Sequence, residues 1–162
     1  MSPEIRDVSD RKFSLITLRN LAEAPSCIPS DCEHFSLFLA IDAREFSDAA
    51  ISKLAKSLLD RGLVHLDAWG REFERVHDLF DLQRDPSETD ETVVMTSWHT
   101  DESLEESLWE FVYLGYVTGT LATKHEWITI FQTDSSWNRE LEATLRATTL
   151  EACGAALSVR EW

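Results

Sequence analysis

The residues best suited to chemistry follow the ends of apolar segments in the sequence. Asp42 follows one such segment, and His99 with Asp101 follows another. A histidine titrates near neutral pH and a nearby carboxylate can orient it, so this set is suited to acid–base catalysis. The same three side chains could together bind a metal ion, but their spacing is not diagnostic of one. They are the candidate catalytic residues.

Aromatic and acidic residues beside these candidates are suited to holding a ligand. Structural roles compete with this reading: tryptophans can cover the end of a sheet, and a carboxylate at a helix start, such as Asp101, can accept backbone N–H bonds. The sequence contains no glycine-rich nucleotide loop and no Gly-x-Ser-x-Gly elbow. The absence of these motifs, together with the non-diagnostic spacing of the possible metal ligands, leads us to predict no cofactor and no metal. We leave open whether the protein is an enzyme. The candidate ligand-binding residues are Trp69, Trp98, Glu45 and Glu102.

A repeated alternation of strand and helix patterns must position these side chains. Unbroken apolar runs predict buried strands of a parallel sheet, and stripes at helical spacing predict the helices between them. Two polar segments are predicted as turns, 69–70 and 98–101, with Thr100 or Asp101 capping the third helix. The predicted strands cover 35–41, 63–68, 93–97 and 127–131, and segment 13–18 is either a strand or a helical turn.

The alternation predicts an α/β fold, a three-layer sandwich with a mainly parallel sheet of four or five strands, flavodoxin-like or Rossmann-like. The chain of 162 residues suits one domain. We place that domain at residues 35–162 and interpret residues 1–34 as an N-terminal extension that packs on it. In open α/β sheets ligands bind beyond the carboxyl ends of the strands, so the candidate residues should share one rim.

Four short motifs stand out between residues 34 and 111. They are Asp42-x-Arg44-Glu45-Phe46, Ala68-Trp69-Gly70, Glu74-Arg75-Val76-His77-Asp78 and Trp98-His99-x-Asp101-Glu102. Together they resemble a small bacterial domain family of unknown function. The resemblance implies an α/β fold and implies no activity.

Negative charge is concentrated in one part of the sequence. The formal net charge is −15, and residues 85–123 contain nine acidic residues and no Lys or Arg. This charge disfavours direct binding to nucleic acid or to an anionic membrane surface. The acidic side chains along the third predicted helix could serve solubility alone, or they could form a docking face for a basic protein. The residues of that face are Glu102, Glu105, Glu106 and Glu110.

Two functions therefore compete at this point. The favoured one is an acidic protein-interaction module, for example an immunity-type inhibitor or a defence or regulatory subunit, that binds a basic protein. The alternative is an enzyme or small-ligand receptor with its site at the strand ends. The polar start of the sequence predicts no secretory signal, so we expect a cytoplasmic protein. Oligomeric state is not predicted.

Overall fold

The structure, a computed structural model, describes residues 4–6, 12–89, 93–99, 101–113 and 125–132, together with the single residues 143 and 147. Two short 3₁₀ turns, at 21–23 and 43–45, accompany the longer elements. The helices are α1 (Ala24–Cys27), α2 (Asp48–Asp60), α3 (Phe73–Asp81) and α4 (Leu104–Tyr113). The strands are β1 (Glu4–Arg6), β2 (Lys12–Leu18), β3 (His34–Asp42), β4 (Leu63–Arg71), β5 (Met95–Trp98) and β6 (His125–Gln132).

The strands form one sheet in the order β1-β2-β6-β3-β4-β5. All pairs from β2 to β5 are parallel, and only the short β1 runs antiparallel to its neighbour β2. The predicted α/β character is confirmed. The sheet has six strands rather than four or five, because residues 4–6 and 12–18 add two strands to it. The proposed domain boundary at residue 34 stays a prediction, although β2 lies inside the same sheet.

Helices pack on both faces of this sheet, as the strand β3 shows. Its residues are buried from Phe35 to Asp42, which fits the prediction of a strand covered on both sides. Alternate residues such as Leu37 join the core that includes Ile51 of α2 and Val76 of α3. The intervening Phe38 faces the other way, where its ring centroid lies 5.6 Å from that of Phe111 in α4. Helices α2 and α3 therefore lie on one face and α4 on the other.

The strand β4 continues through the predicted turn at Trp69-Gly70. Gly70 has a φ of 120°, and it pairs with Ile41 of β3 so closely that an added Cβ would lie 2.0 Å from the Ile41 carbonyl oxygen. Glycine therefore keeps the strand in the sheet where a turn was predicted, and β4 reaches Arg71.

Some predictions fall on residues that the structure does not describe. Thr133 and Asp134, which follow the predicted strand 127–131, lie outside the described residues. The apolar spacing of residues 137–145 predicts a further helix that ends near Gly154, and of that segment the structure describes only residues 143 and 147, both helical. Within the described part of the chain, none of the helices combines the length and the apolar character that crossing a membrane requires.

Candidate functional site

The chain opens a crevice between the neighbouring strands β4 and β5. The segment after β4 leads into α3, and the segment after β5 leads into α4. Since α3 and α4 lie on opposite faces of the sheet, the two segments diverge and leave a gap at the carboxyl ends of the strands. Such a gap is where ligands bind in open α/β sheets.

A cavity of about 440 Å³ occupies this crevice. That volume lies within the range of small-molecule sites. Trp69 closes one side, where its Nε1 donates to the Glu102 carbonyl oxygen at 3.4 Å and so ties β4 to the segment before α4. The lining residues are Trp69, Gly70, Arg71, Phe73, His99, Asp101 and Glu102.

His99 reaches from this cavity towards a buried carboxylate, Asp67. His99 is 6% exposed and Asp67 is 3% exposed, and the His99 Nε2 lies 3.6 Å from an Asp67 oxygen. Asp67 also accepts a short hydrogen bond from the Ser97 hydroxyl and has the His65 Nε2 at 3.6 Å. A buried carboxylate is costly unless it is paired, so the two imidazoles are what makes Asp67 tolerable on this strand.

The other nitrogen of His99 faces two further carboxylates. Its Nδ1 lies 2.6 Å from Oε2 of Glu102 and 3.5 Å from Oε2 of Glu110. With acceptors on both sides, the ring is best satisfied as an imidazolium with two N–H donors. Glu102, Glu110 and His99 also line a second cavity of about 170 Å³ with His65, Asp67, Ser97 and Trp98.

These contacts move the pKa values of both partners. Burial by itself lowers the pKa of His99, but the Asp67 and Glu102 carboxylates outweigh it and raise that pKa above its ordinary 6.5. Burial by itself raises the pKa of Asp67, but the adjacent His65 and His99 imidazoles outweigh it and lower that pKa below 3.8. Both shifts favour the charged pair, an imidazolium that faces a carboxylate, and an imidazolium is a proton donor.

The predicted catalytic residues separate in the structure. His99 and Asp101 line the larger cavity, whereas Asp42 lies outside that lining set. Asp42 instead accepts from the Arg44 side chain at 2.9 and 2.7 Å, and this hydrogen bonding lowers the pKa of Asp42. It also caps the 3₁₀ turn that follows β3. Asp42 thus has a structural role, and its ligand atoms do not converge with those of His99 and Asp101, which the sequence left open as a metal-binding set.

The predicted ligand-binding residues also divide. Trp69 and Glu102 line the larger cavity, while Glu45 is an exposed residue of the 3₁₀ turn and belongs to neither lining set. Trp98 lines only the smaller cavity. Its ring packs edge-on against His77 with a centroid distance of 4.3 Å, so Trp98 partly covers α3.

The four acidic residues of the proposed docking face have different surroundings. Glu102 and Glu110 turn towards His99, and Glu106 accepts from the backbone N–H and the hydroxyl of Ser103. Glu105 is exposed. Ser103 therefore caps α4, the third helix predicted from the sequence, and a Ser-x-x-Glu capping box fixes the segment that carries Glu102. Asp101 was a predicted cap and is not the one observed, and Thr100, the other predicted cap, lies outside the described residues.

Sequence reasoning missed Asp67 and His65. They stand two residues apart in the strand segment Leu63–Ala68 and so point to the same face of the sheet. Two titratable residues at this spacing in a buried parallel strand are unusual, because such strands are normally apolar throughout. That break in the apolar run was the signal available in the sequence.

The fold and the crevice define an α/β protein with a candidate site at the carboxyl ends of its parallel strands. A family described as Domain of unknown function (DUF7684) matches residues 13–148. The chain belongs to this family, which confirms the resemblance to an uncharacterised domain family and extends it beyond residues 34–111. No curated protein and no solved structure matches the chain.

Proposed function

We propose that this protein binds a small molecule in the crevice between β4 and β5, as an enzyme or a receptor. The observation that carries the proposal is the 440 Å³ cavity whose wall contains the buried His99, paired with Asp67. A hydrophobic core gains nothing from a buried ion pair that an apolar pair of equal size would not supply. The position of the His99–Asp67 pair beside a cavity at the strand ends therefore favours a functional role.

The lining indicates the kind of ligand. Trp69 and Phe73 offer aromatic surface, Arg71 offers a positive charge, and Asp101 and Glu102 offer negative charge. A small planar molecule with polar groups at its edge complements these side chains. For catalysis, the group in this wall suited to transferring a proton is the His99 imidazolium.

A ligand-observed NMR screen tests the proposal, with benzoate, benzylamine and phenylalanine as probes. We expect at least one probe to bind wild type and to bind Trp69→Leu at least tenfold more weakly. Trp109→Leu is the matched control, because Trp109 is an exposed tryptophan of α4 outside both lining sets. Equal binding to the two variants, or no binding of any probe, would count against a site in this crevice.

A second proposal is the function favoured from the sequence, an acidic interaction module that binds a basic protein at α4. It is supported by large exposed aromatic residues close in sequence to the acids of that helix. Trp98 and Trp109 are 45% and 49% exposed, and exposed tryptophans near acidic residues are typical of protein interfaces. An immunity-type or regulatory subunit is the kind of protein that would use such a face.

Binding to a basic partner should weaken with salt and with charge reversal on α4. Capture of basic proteins from a lysate is expected to fall when Glu105→Lys is introduced, and Asp60→Lys on α2 provides the control. Both substitutions reverse one exposed carboxylate, and neither residue lines the cavities. Recovery that is indifferent to salt and to Glu105→Lys would remove this candidate.

The remaining expectations stay predictions. They are a bacterial origin, a cytoplasmic location and a flavodoxin-like or Rossmann-like fold. The bacterial origin rests on the family resemblance and the other two on sequence patterns, and none of the proposals above depends on them.

A further inference from the structure

We infer that His99, Glu102 and Glu110 bind a divalent first-row transition metal ion at the wall of the crevice. The inference departs from the sequence prediction of no metal. It concerns the same site as the proposed function, but it does not depend on which organic molecule binds there. Within the described residues this is the one group of three His, Cys, Asp or Glu side chains whose ligand atoms converge, all within 4.8 Å of one another.

The distances between the donors suit a single ion. Two ligand atoms that each lie about 2.1 Å from one ion are separated by about 3.0–3.5 Å. Nδ1 of His99 and Oε2 of Glu110 are 3.5 Å apart, which already matches. Glu102 lies closer, at 2.6 Å, so this partly exposed side chain would move away from Nδ1 to admit the ion.

The surroundings of His99 are those of a metal ligand. The imidazole is more than nine-tenths buried, and among the described residues its Nε2 has no hydrogen bond, although the Asp67 carboxylate stands 3.6 Å away. Metal-bound histidines commonly donate their second N–H to a carboxylate, which fixes the ring and makes the ligating nitrogen more basic. Asp67 is placed for that role, and the ion would displace the proton that Nδ1 carries in the metal-free protein.

Charge supplies an independent reason for a cation. Among the described residues His99 is the only cationic side chain within 4.0 Å of Glu102 or Glu110. The neighbouring sequence offers no alternative, because residues 85–123 contain neither Lys nor Arg. Three carboxylates therefore surround His99, whereas the second imidazole, His65, faces only Asp67. A divalent ion would offset the excess of negative charge at Glu102 and Glu110.

The donor set indicates the class of metal and the use of the site. One imidazole with two carboxylates suits manganese, iron, cobalt or zinc better than calcium or magnesium, which prefer oxygen ligands only. Three protein ligands leave at least one position open, as in catalytic rather than structural sites. His99 and Glu102 also line the larger cavity, so a water or a ligand atom at the open position would lie beside it.

Calorimetric titration with Mn²⁺ tests the inference on the full-length, tag-free protein after treatment with a chelator. Manganese is chosen because thiolates bind it poorly, so Cys27 and Cys32 do not compete. We expect one equivalent to bind, with at least tenfold weaker binding in Glu110→Gln. Asp67→Asn should weaken binding by about 10- to 100-fold through its effect on His99.

Glu105→Gln is the matched control, because it removes one carboxylate from the same helix at an exposed position. Its affinity should equal that of wild type, and paramagnetic broadening by Mn²⁺ should centre on residues 97–110. Absence of stoichiometric binding, or equal loss in Glu105→Gln and Glu110→Gln, would overturn the inference. Thermal unfolding of each variant shows that weaker binding is not a loss of fold.

The NMR screen with benzoate, benzylamine and phenylalanine is run in the presence of chelator. A failure of organic-ligand binding and a failure of metal binding are therefore distinguishable.

Discussion

His99 is the residue on which the account depends, because it links the two cavities and three carboxylates. The stability that the His99–Asp67 pair contributes depends on pH in opposite directions for the two residues. The raised pKa of His99 means that the stability from its charged form is present in full below pH 6.5 and is lost as pH rises through the folded-state pKa. The lowered pKa of Asp67 means that its contribution is present above pH 3.8 and is lost as pH falls.

Asp67→Asn should therefore be most destabilising between these limits. At about pH 5.5 in the presence of chelator, we expect it to lower the free energy of unfolding by about 3 kcal/mol, because a buried imidazolium loses its buried partner. The loss should shrink as the pH is raised from 6.5 through the folded-state pKa of His99, where wild type loses the same interaction. Urea unfolding at several pH values measures both effects.

Asp60→Asn provides the comparison for that measurement. Asp60 is an exposed carboxylate of α2 with Lys56 at 3.5 Å, and such surface pairs contribute about 0.5 kcal/mol or less. A loss for Asp67→Asn that is no larger than this, or that does not vary with pH, would show that the Asp67–His99 pair is not charged as described.

At the scale of the element, α4 sets the position of Glu102 and Glu110. The capping box between Ser103 and Glu106 starts the helix, with the Glu106 N–H donating to the Ser103 hydroxyl at 3.2 Å. Glu102 precedes this cap directly, and Glu110 follows two turns later on the side of His99. The start of α4 therefore determines whether the two glutamates meet at one imidazole.

Ser103→Ala should destabilise the protein by about 1 kcal/mol, the usual effect of removing a helix cap. Ser57→Ala is the matched control within α2, where the hydroxyl only donates to the Lys53 carbonyl oxygen inside the helix. Because alanine is the better helix former, that control should be neutral or stabilising by a few tenths of a kcal/mol or so. Thermal or urea unfolding of both variants makes the comparison, and an equal effect would argue against the cap.

The elements also show what the sequence could predict. The strands β3 and β4 were predicted to within three residues, and the helices α2 and α3 follow them as the apolar stripes at helical spacing predicted. The turn at Trp69-Gly70 was predicted wrongly, because a glycine signals a turn locally but here serves the close approach of β3. That approach is a tertiary property, and nothing within the segment reveals it.

At the scale of the molecule, the sheet order creates the site. The rule that ligands bind at strand ends directed attention to His99, Asp101, Trp69 and Glu102 from the sequence. The rule could not distinguish these residues from Asp42 and Glu45, which follow β3. The order of the strands and the faces on which the helices pack decide which strand ends flank the crevice. The pairing of Asp67 with His99 depends on that order too, since it joins residues from neighbouring strands and the segment beyond them.

The net charge of −15 also has a clearer meaning at this scale. Two of the four glutamates first interpreted as a docking face turn to His99, and a third completes a helix cap. Local contacts thus explain much of the acidic stripe on α4. This is why we favour the crevice over the acidic face as the functional surface.

Chemical-shift mapping on ¹⁵N-labelled protein tests the central claim, that the crevice between β4 and β5 is the binding site. Titration with benzoate, benzylamine and phenylalanine should shift the indole N–H of Trp69 and the amides of Gly70 and His99, and should leave the Trp109 indole unchanged. Trp69→Leu assigns the first of these signals. Shifts that fall on the exposed face of α4 instead, or no shifts with any probe, would contradict the account.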